Sequence, residues 1–311
     1  MIVVDIIHLA FPFDLETQGR KQVLAIGDFD GVHLGHQDVI SKAVKAGNEA
    51  GVPVSVMSFH PHPREVLGQP KYASYITPLE EKMRIFESLG VDYAYVVNFT
   101  EAFAQVTPEQ FIDKMLIPMN LHSIIVGFDF AFGHRGAGTV SMLRERCEPG
   151  IQVETVAPFL YKELKVSSTR VREALDGGLV QETADLLGRP YAVSGTVNGG
   201  DKRGRTLGFP TANLQLELPF VVPARGVYAV RAYLGDEVLG GVMNIGVKPT
   251  FTNNTVPSLE VHLFDFDREI YGETLRVDFL AFIRSERKFN SVQEIIEQIH
   301  KDAAEAKSFY F

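Results

Sequence analysis

The stretch AIGDFDGVHLGHQDVI, residues 25–40, decides the fold of the first half of the chain. It starts at the end of a short apolar run, passes through a glycine-rich turn and ends in a helix pattern. His33 and His36 lie at the start of that helix, where free backbone N–H groups and the helix dipole favour an anion. Gly31 and Gly35 allow the backbone to approach a ligand closely. We therefore expect a strand-turn-helix unit that binds phosphate.

The first half alternates apolar strand patterns with helix patterns. The strand-like runs are VLAI, VPVSVMSF, DYAYVV and HSIIVG. Between them, Thr77 and Thr107 each precede a proline and a Glu or Gln that complete a predicted capping box at a helix start. Near-continuously apolar strands separated by helices predict a parallel sheet covered on both faces. Ligands bind such sheets at the carboxyl ends of the strands, where residues 25–40 lie.

From about Tyr191 the pattern changes to short strands separated by turns. Runs such as YAVSGTV, GVYAVRAYL, VLGGVMNIGV, SLEVHLFDF and LRVDFLAFI recur at short spacing, which favours a closed antiparallel barrel. A capping box of Ser291 and Glu294 predicts a C-terminal helix. We predict an α/β domain over residues 1–186 and a β-barrel domain with a terminal helix over residues 187–311.

Composition narrows the function classes. The 311 residues carry a formal net charge of −9, so no overall basic field attracts a nucleic-acid backbone. Cys147 is the only cysteine, which excludes an internal disulfide and a thiolate zinc site and favours a reducing compartment. The sequence contains neither a signal-peptide pattern nor an apolar run near the ~20 residues that cross a bilayer. We predict a cytoplasmic protein with small-molecule substrates and without nucleic-acid or membrane partners; homo-oligomerisation stays open.

A second segment of the first half has phosphate-binding chemistry. KVSSTRVREAL, residues 165–175, offers hydroxyls at a helix start followed by Arg172. By itself this segment is also consistent with an ordinary helix cap. Asp129 lies in GFDFAFG, at the end of another strand-like run, and this motif is equally consistent with a core-facing turn. A metal site that joins His60 and His62 to the first histidine pair is disfavoured, because neither a carboxylate nor a cysteine set completes it.

Two segments carry the chemistry of the second half. In GDKRGRTLGFPTANL, residues 200–214, a basic glycine loop leads to Thr211 and Asn213, whose oxygens suit Mg²⁺. A basic surface loop is the alternative interpretation. In SLEVHLFDFD the alternation places Glu260 and His262 on one strand face, which we expect to point into the barrel. Glu260 is able to accept a proton from a hydroxyl that attacks a phosphoryl group, and a structural salt bridge is the alternative.

Together these motifs resemble the prokaryotic bifunctional riboflavin kinase/FAD synthetase family. H-x-G-H at 33–36 and S-S-T-x-x-R at 167–172 are typical of nucleotidyltransferases, and GFPTAN at 208–213 makes the resemblance specific. The remaining matching motifs are FHPHPRE, GFDFAFG, GVMNIGVKPTF, LEVHLFDFD, IYGE and RKFNS. The resemblance implies a Rossmann-like α/β nucleotidyltransferase domain that adenylylates FMN to FAD with release of pyrophosphate. It also implies an antiparallel β-barrel that phosphorylates riboflavin to FMN.

The resemblance also assigns the site residues. For the α/β domain it implies an ATP site of Gly27, Asp28, Phe29, His33, His36, Asp129, Ser168 and Arg172, with His33, His36 and Arg172 catalytic. FMN would be held by Phe59, Pro61, His62, Pro63, Phe128 and Phe132. In the barrel, Glu260 would be the catalytic base, and Mg²⁺ and ATP would be bound by Gly204, Thr206, Thr211 and Asn213, with Mg²⁺ held by the last two. The flavin side of the barrel would be framed by Asn244, Arg284 and Phe289.

Two other functions are compatible with part of the pattern. The first is a kinase whose α/β half acts on another acceptor, which the intact histidine pair and Arg172 disfavour. The second is a non-enzymatic flavin-binding regulator, which the presence of Glu260 disfavours. The sequence departs from the family pattern at Asp28, at His60 and in FGHRGAGT after the GFDFAFG motif.

Overall fold

A computed structural model describes residues 4–12, 20–199, 209–248 and 256–310. The strands are β1 (Asp5–Leu9), β2 (Gln22–Ile26), β3 (Val54–His60), β4 (Tyr93–Asn98), β5 (Leu121–Gly127), β6 (Gln152–Val156), β7 (Leu160–Tyr161), β8 (Leu164–Lys165), β9 (Tyr191–Asn198), β10 (Ala212–Leu216), β11 (Gly226–Leu234), β12 (Glu237–Lys248), β13 (Val256–Leu263) and β14 (Thr274–Arg284). The α-helices are α1 (Leu34–Ala50), α2 (Pro63–Val66), α3 (Leu79–Ser88), α4 (Pro108–Phe111), α5 (Val140–Cys147), α6 (Ser168–Asp176), α7 (Val180–Leu187) and α8 (Val292–Lys307).

The chain divides into two compact units, Met1–Ser168 and Thr169–Phe311. In the second unit, α7 packs against β14 and β9 of the barrel. The boundary expected from the sequence between the α/β and barrel domains, at 186/187, stays a prediction. Among the helices of the described residues, none combines the length and apolar character that a bilayer crossing requires.

The first unit contains the predicted parallel sheet. Its six strands lie in the order β1-β4-β3-β2-β5-β6 and pair in parallel throughout. Every residue of β2 is buried, with Val23 and Ala25 in the core under α1 and α3, and Leu24 and Ile26 in the core on the opposite face. Four of the strands were predicted from the sequence, whereas β1 and β6 were not.

The sheet brings four loops to one edge. Because parallel strands all end on the same side, the segments that follow β2, β3, β5 and β6 share that side. β2 lies between β3 and β5 in the sheet, although in the chain β4 comes between β3 and β5. This is the position where the direction of chain progression reverses, so a crevice opens beside the turn after β2.

Of the two helix caps predicted in the first unit, one is present and the other is not. Thr107 forms the predicted capping box at the start of α4. Thr77 does not cap α3, because the helix begins at Leu79 and Pro78 occupies the cap position. The Thr77 side chain is buried, and its hydroxyl accepts a 2.9 Å hydrogen bond from the N–H of Gly31. A tertiary contact with the turn after β2 has therefore replaced the local cap.

The second unit contains the predicted antiparallel barrel and terminal helix. The barrel is closed, with strand order β10-β13-β12-β11-β14-β9, and α8 packs on its outside with Ala306 against Ala229. Ser291 caps α8 by accepting a 3.2 Å hydrogen bond from the N–H of Glu294. The Glu294 carboxylate accepts from the N–H of Asn290 and not from that of Ser291, so half of the predicted capping box is formed.

Candidate active sites

The turn after β2 has a strained backbone. Phe29 and Val32 have φ angles of 55° and 39°, in the left-handed region that is unfavourable for a β-branched residue. Such a conformation persists only where the surroundings hold it. Asp30 supplies part of this support, because its fully buried carboxylate accepts hydrogen bonds from the N–H groups of Ile76 and Thr77 at 2.9 and 3.2 Å. The strain marks this turn as a candidate ligand site.

His33 and His36 form a stacked pair at the start of α1. His33 is the N-cap residue, and its Nδ1 accepts a 3.2 Å hydrogen bond from the backbone N–H of His36. An accepting Nδ1 carries no proton, so the neutral His33 ring carries its proton on Nε2. The two rings stack with centroids 3.6 Å apart, and the Phe29 ring contacts His36 edge-on at 5.3 Å. A Cβ at Gly35 would lie 3.3 Å from the His33 ring, so a side chain there would press on the ring.

Two further predicted ATP-site residues are tied to the same turn or its strand. Gly27 directly follows β2, and its N–H donates to the carbonyl of Met57 in β3 at 3.1 Å. Ser168 begins α6, and its hydroxyl donates to the backbone carbonyl of Asp30 at 2.8 Å. Arg172 is buried on α6. Its predicted role toward ATP phosphates stays a prediction.

Asp28 is paired with His62, which follows β3. His62 Nδ1 accepts from the N–H of Arg64 at 3.0 Å, so the ring proton lies on Nε2, 3.0 Å from Asp28 Oδ2. Burial alone would raise the pKa of Asp28, but the His62 hydrogen bond and the Lys82 ammonium together hold it below its usual value. His62 was predicted to bind flavin; the structure places it in a buried pair beneath the turn after β2.

Lys82 is a site residue that the sequence analysis missed. It is 3% exposed, and its ammonium donates to the Asp28 carbonyl at 2.8 Å and to the Ser58 hydroxyl at 3.2 Å. Burial and this nearby cation lower the pKa of His60. The available signal was position: Lys82 interrupts an otherwise apolar stripe on α3, at the spacing of buried residues. Pro61 and Pro63, also predicted flavin contacts, flank His62, and the second of them begins α2.

The aromatic residues predicted to hold FMN differ in exposure. Phe128, at the end of β5, is 44% exposed, and the Lys165 ammonium lies 4.7 Å from its ring centre. Lys165 also pairs with the predicted ATP-site residue Asp129. Phe132 is buried and stacks on a neighbouring ring, and Phe59 packs against the same core. Phe128 is therefore the most exposed ring of this group.

In the barrel, three adjacent strands place polar side chains in register. Asn213 of β10 lies directly opposite Glu260 of β13, and Glu260 lies opposite Asn244 of β12. Residues directly opposite in antiparallel strands share a face. The Ser258 hydroxyl donates to Glu260 Oε1 at 3.2 Å.

The expected orientation of Glu260 was wrong. Leu259, Val261 and Leu263 are 4%, 0% and 5% exposed and fill the barrel interior. Glu260 and His262 therefore point outward, toward α8. The outward position follows from the apolar alternation, because the inner face of a small barrel is filled by packed side chains.

A cavity of about 320 Å³ lies on this outer face, between the barrel and α8. Its lining includes Thr211, Asn244, Glu260, Arg284 and Phe289. A second cavity of about 270 Å³ is lined by Thr211, by the inward-facing Val261 and Leu263 of β13, and by residues 266–271, which follow that strand. The two cavities use opposite faces of β13 and have Thr211 in common. Predicted residues from distant parts of the sequence thus meet at one place.

Arg284 is held at the cavity wall by an acid that the sequence analysis missed. Its Nε lies 2.9 and 3.0 Å from the two Asp302 oxygens, and its Nη2 lies 2.7 Å from one of them. The Asp302 side chain is 4% exposed and also accepts a 2.6 Å hydrogen bond from Gln298. The Arg284 guanidinium lies 5.7 Å from the ring centre of Phe289. This ion pair connects β14 to α8.

Two predicted ATP-site residues, Gly204 and Thr206, lie outside the described residues. Within the described ranges, no group of three His, Cys, Asp or Glu side chains is arranged to hold a metal ion. The neutral oxygens of Thr211 and Asn213 are a different donor set, of the kind that binds Mg²⁺ together with substrate phosphates.

Comparison with known proteins decides the family. Residues 15–170 match the family model of FAD synthetase, and residues 187–310 match that of riboflavin kinase. The chain belongs to the bifunctional riboflavin kinase/FMN adenylyltransferase family. The predicted family, function, enzyme class and fold are thereby confirmed: the protein is a riboflavin kinase and an FMN adenylyltransferase, and ATP is the co-substrate.

The relatives match over nearly their whole length. The Bacillus subtilis bifunctional riboflavin kinase/FMN adenylyltransferase is 46% identical, over 98% of each chain. The enzyme of the same name from Escherichia coli K12 is 39% identical, over 93% of this chain and 92% of the relative. A solved Streptococcus pneumoniae structure named as a macrolide-efflux protein is 34% identical with a TM-score of 0.90, over 96% of this chain and 97% of that chain.

Proposed function

We propose that the barrel phosphorylates riboflavin with ATP at Glu260, and that the α/β unit adenylylates the resulting FMN to FAD at the turn after β2. The observation that carries the proposal is the register of Asn213, Glu260 and Asn244 beside two cavities that meet at Thr211. Phosphoryl transfer requires a donor and an acceptor on opposite sides of the transferred group. Two cavities on opposite faces of β13 meet that requirement.

In the kinase reaction, we assign the 320 Å³ cavity to riboflavin and the 270 Å³ cavity to the nucleoside of ATP. The Glu260 carboxylate accepts the proton of the ribityl 5′-hydroxyl as its oxygen bonds to the γ-phosphorus, and ADP leaves. Thr211 and Asn213 would hold Mg²⁺, which when bound neutralises charge on the phosphates. Arg284 and Phe289 orient the flavin from the far wall.

In the adenylyltransferase reaction, an FMN phosphate oxygen attacks the α-phosphorus of ATP and pyrophosphate leaves. The Nε2–H of His33, whose proton position is set by its capping bond, donates to a phosphate oxygen on which negative charge increases. His36 is held against it by stacking. Ser168 belongs to the proposed ATP site, and the exposed ring of Phe128 offers a face to the isoalloxazine. No protein nucleophile is required, because positioning and charge stabilisation carry the reaction.

The test incubates purified protein with riboflavin, ATP and Mg²⁺, and separates riboflavin, FMN and FAD over time. We expect FMN to rise and then to be converted to FAD in the wild type. His36→Ala should accumulate FMN. Glu260→Gln should lower riboflavin phosphorylation by about 10²- to 10⁴-fold, the usual contribution of a general base, and still convert added FMN to FAD.

Glu145→Gln, at an exposed position on α5, is the matched control and should behave as the wild type. A wild type that stops at FMN would refute adenylylation of FMN at the turn after β2. A wild type that binds flavin without turnover would favour a regulator. The cytoplasmic location, proposed from the single cysteine, is tested by fractionating the cells that make the protein.

A further inference from the structure

His262 has a place beside the kinase site but no assigned role. It follows Glu260 by two residues in β13, so the two side chains share the outer face. It lies opposite Val242 of β12 and lines the 320 Å³ cavity. Its ring is therefore within the proposed riboflavin side of the site.

The His262 ring is hydrogen-bonded to the segment that carries Thr211. Its Nδ1 lies 2.9 Å from the carbonyl oxygen of Pro210. A carbonyl only accepts, so Nδ1 must carry the proton and donate. The neutral ring then has an unprotonated Nε2. The acceptor belongs to the residue directly before Thr211.

The hydrogen bond between His262 and Pro210 lies just beyond the last backbone pair of β10 with β13. The pairing of β10 with β13 runs from Leu214 to Ala212, which lies opposite Val261. Continued by one residue, the same register would place Thr211 opposite His262. The side-chain bond to Pro210 thus extends the attachment of the two segments past the last paired residue.

Ring packing fixes the same segment at a second point. Phe209 is 9% exposed, and its ring is contacted edge-on by His262 at 5.3 Å and by His300 of α8 at 4.8 Å. The hydrogen bond and the ring contacts together hold residues 209–211 against β13. Loss of the His262 ring would remove the bond and one of the two ring contacts.

We propose that His262 is a positioning residue of the kinase, which holds Thr211 at a fixed distance from Glu260 through the Pro210 carbonyl. The proposal rests on the assignment of Thr211 to Mg²⁺ and ATP. Since His262 acts on the nucleotide side through this carbonyl, its loss raises the KM for ATP and the Mg²⁺ requirement more than the KM for riboflavin.

Three substitutions separate the hydrogen bond from the ring. In His262→Asn the amide nitrogen takes about the position of Nδ1 and still donates to Pro210. In His262→Gln the amide reaches about the position of Nε2, and in His262→Ala the donor is absent. We expect kcat/KM for ATP to fall about tenfold in the Gln and Ala variants, since one hydrogen bond corresponds to about that factor. The Asn variant should stay within about threefold of wild type by the same measure.

Two further measurements accompany the kinetics. Conversion of added FMN to FAD should be unchanged in all three variants, which shows that the α/β unit is intact. The circular dichroism spectrum and thermal midpoint of the variants should stay close to wild type, which shows that the barrel is folded. Hydrogen exchange of a peptide covering residues 209–216 should be faster in His262→Ala and close to wild type in His262→Asn. This readout tests the anchoring even if the barrel proves not to phosphorylate riboflavin, so the two failures are distinguishable.

The proposal is overturned if the Asn variant loses as much kcat/KM for ATP as the Ala variant. It is also overturned if exchange at 209–216 does not respond to the loss of the donor. A rise in the KM for riboflavin alone would assign His262 to direct flavin contact instead.

Discussion

Replacing Asp302 with asparagine should weaken both the barrel and its riboflavin site. Asp302 is the buried partner of Arg284, with side-chain exposures of 4% and 22%. Breaking a buried ion pair by neutralising one member usually costs about 3–5 kcal/mol, because the other charge stays behind. The partial exposure of Arg284 and the oxygen that asparagine retains reduce this to about 2–3 kcal/mol. For a unit of this size, that corresponds to a thermal midpoint about 6–10 °C lower.

The matched control is Asp265→Asn. Asp265 is 90% exposed and lies 3.9 Å from Lys307, so the same substitution there should change stability by less than about 0.5 kcal/mol. Thermal unfolding followed by circular dichroism gives the stability change, and riboflavin titration of the kinase reaction gives KM. We expect Asp302→Asn to raise the KM for riboflavin, because Arg284 is no longer fixed at the cavity wall. Equal midpoints and equal KM values for the two variants would refute the reasoning.

Three further predictions concern the α/β unit. Gly35→Ala puts a Cβ about 3.3 Å from the His33 ring, so FAD formation from FMN should fall by up to about tenfold through displacement of the ring, while riboflavin phosphorylation is unchanged in the same assay. The pKa of Asp28 is lower in the folded than in the unfolded state. Its contribution to stability is therefore present above the unfolded pKa and is lost as the pH falls through the folded pKa. In urea unfolding below pH 4, Asp28→Asn should lose less stability on acidification than the wild type. Burial raises the pKa of the Cys147 thiol to about 11, so at pH 8 roughly one thiol in a thousand is ionised, and reaction with a disulfide reagent should be slow until urea unfolds the chain.

The fold could largely be predicted from local patterns. Four parallel strands and the run of barrel strands were recognised because buried strands are continuously apolar or strictly alternating. β1 and β6 were missed; polar residues interrupt both, as at His8 and Glu154. The cap assigned to Thr77 failed because a distant N–H group competes for its hydroxyl, and such competition is invisible in a local pattern.

The site was harder to predict than the fold. Asp302 and Lys82 are charged residues on otherwise ordinary helices, and only their burial shows that they hold other groups in place. The outward direction of Glu260 depended on recognising that the apolar alternation fills the barrel, which a single strand does not establish. The resemblance to a family supplied roles for Asn244 and Arg284 that no spacing in the sequence indicated.

The alignment of β10, β13 and β12 has an evolutionary consequence. Asn213, Glu260 and Asn244 share a face because each is paired directly opposite the next, and in a strand neighbouring residues alternate between faces. Amino-acid exchanges around them can accumulate one at a time without moving them. A single inserted or deleted residue in β13 ahead of Glu260 would turn its carboxylate into the apolar interior in one step. We therefore expect changes in chain length near these three residues to fall in the connections between the strands.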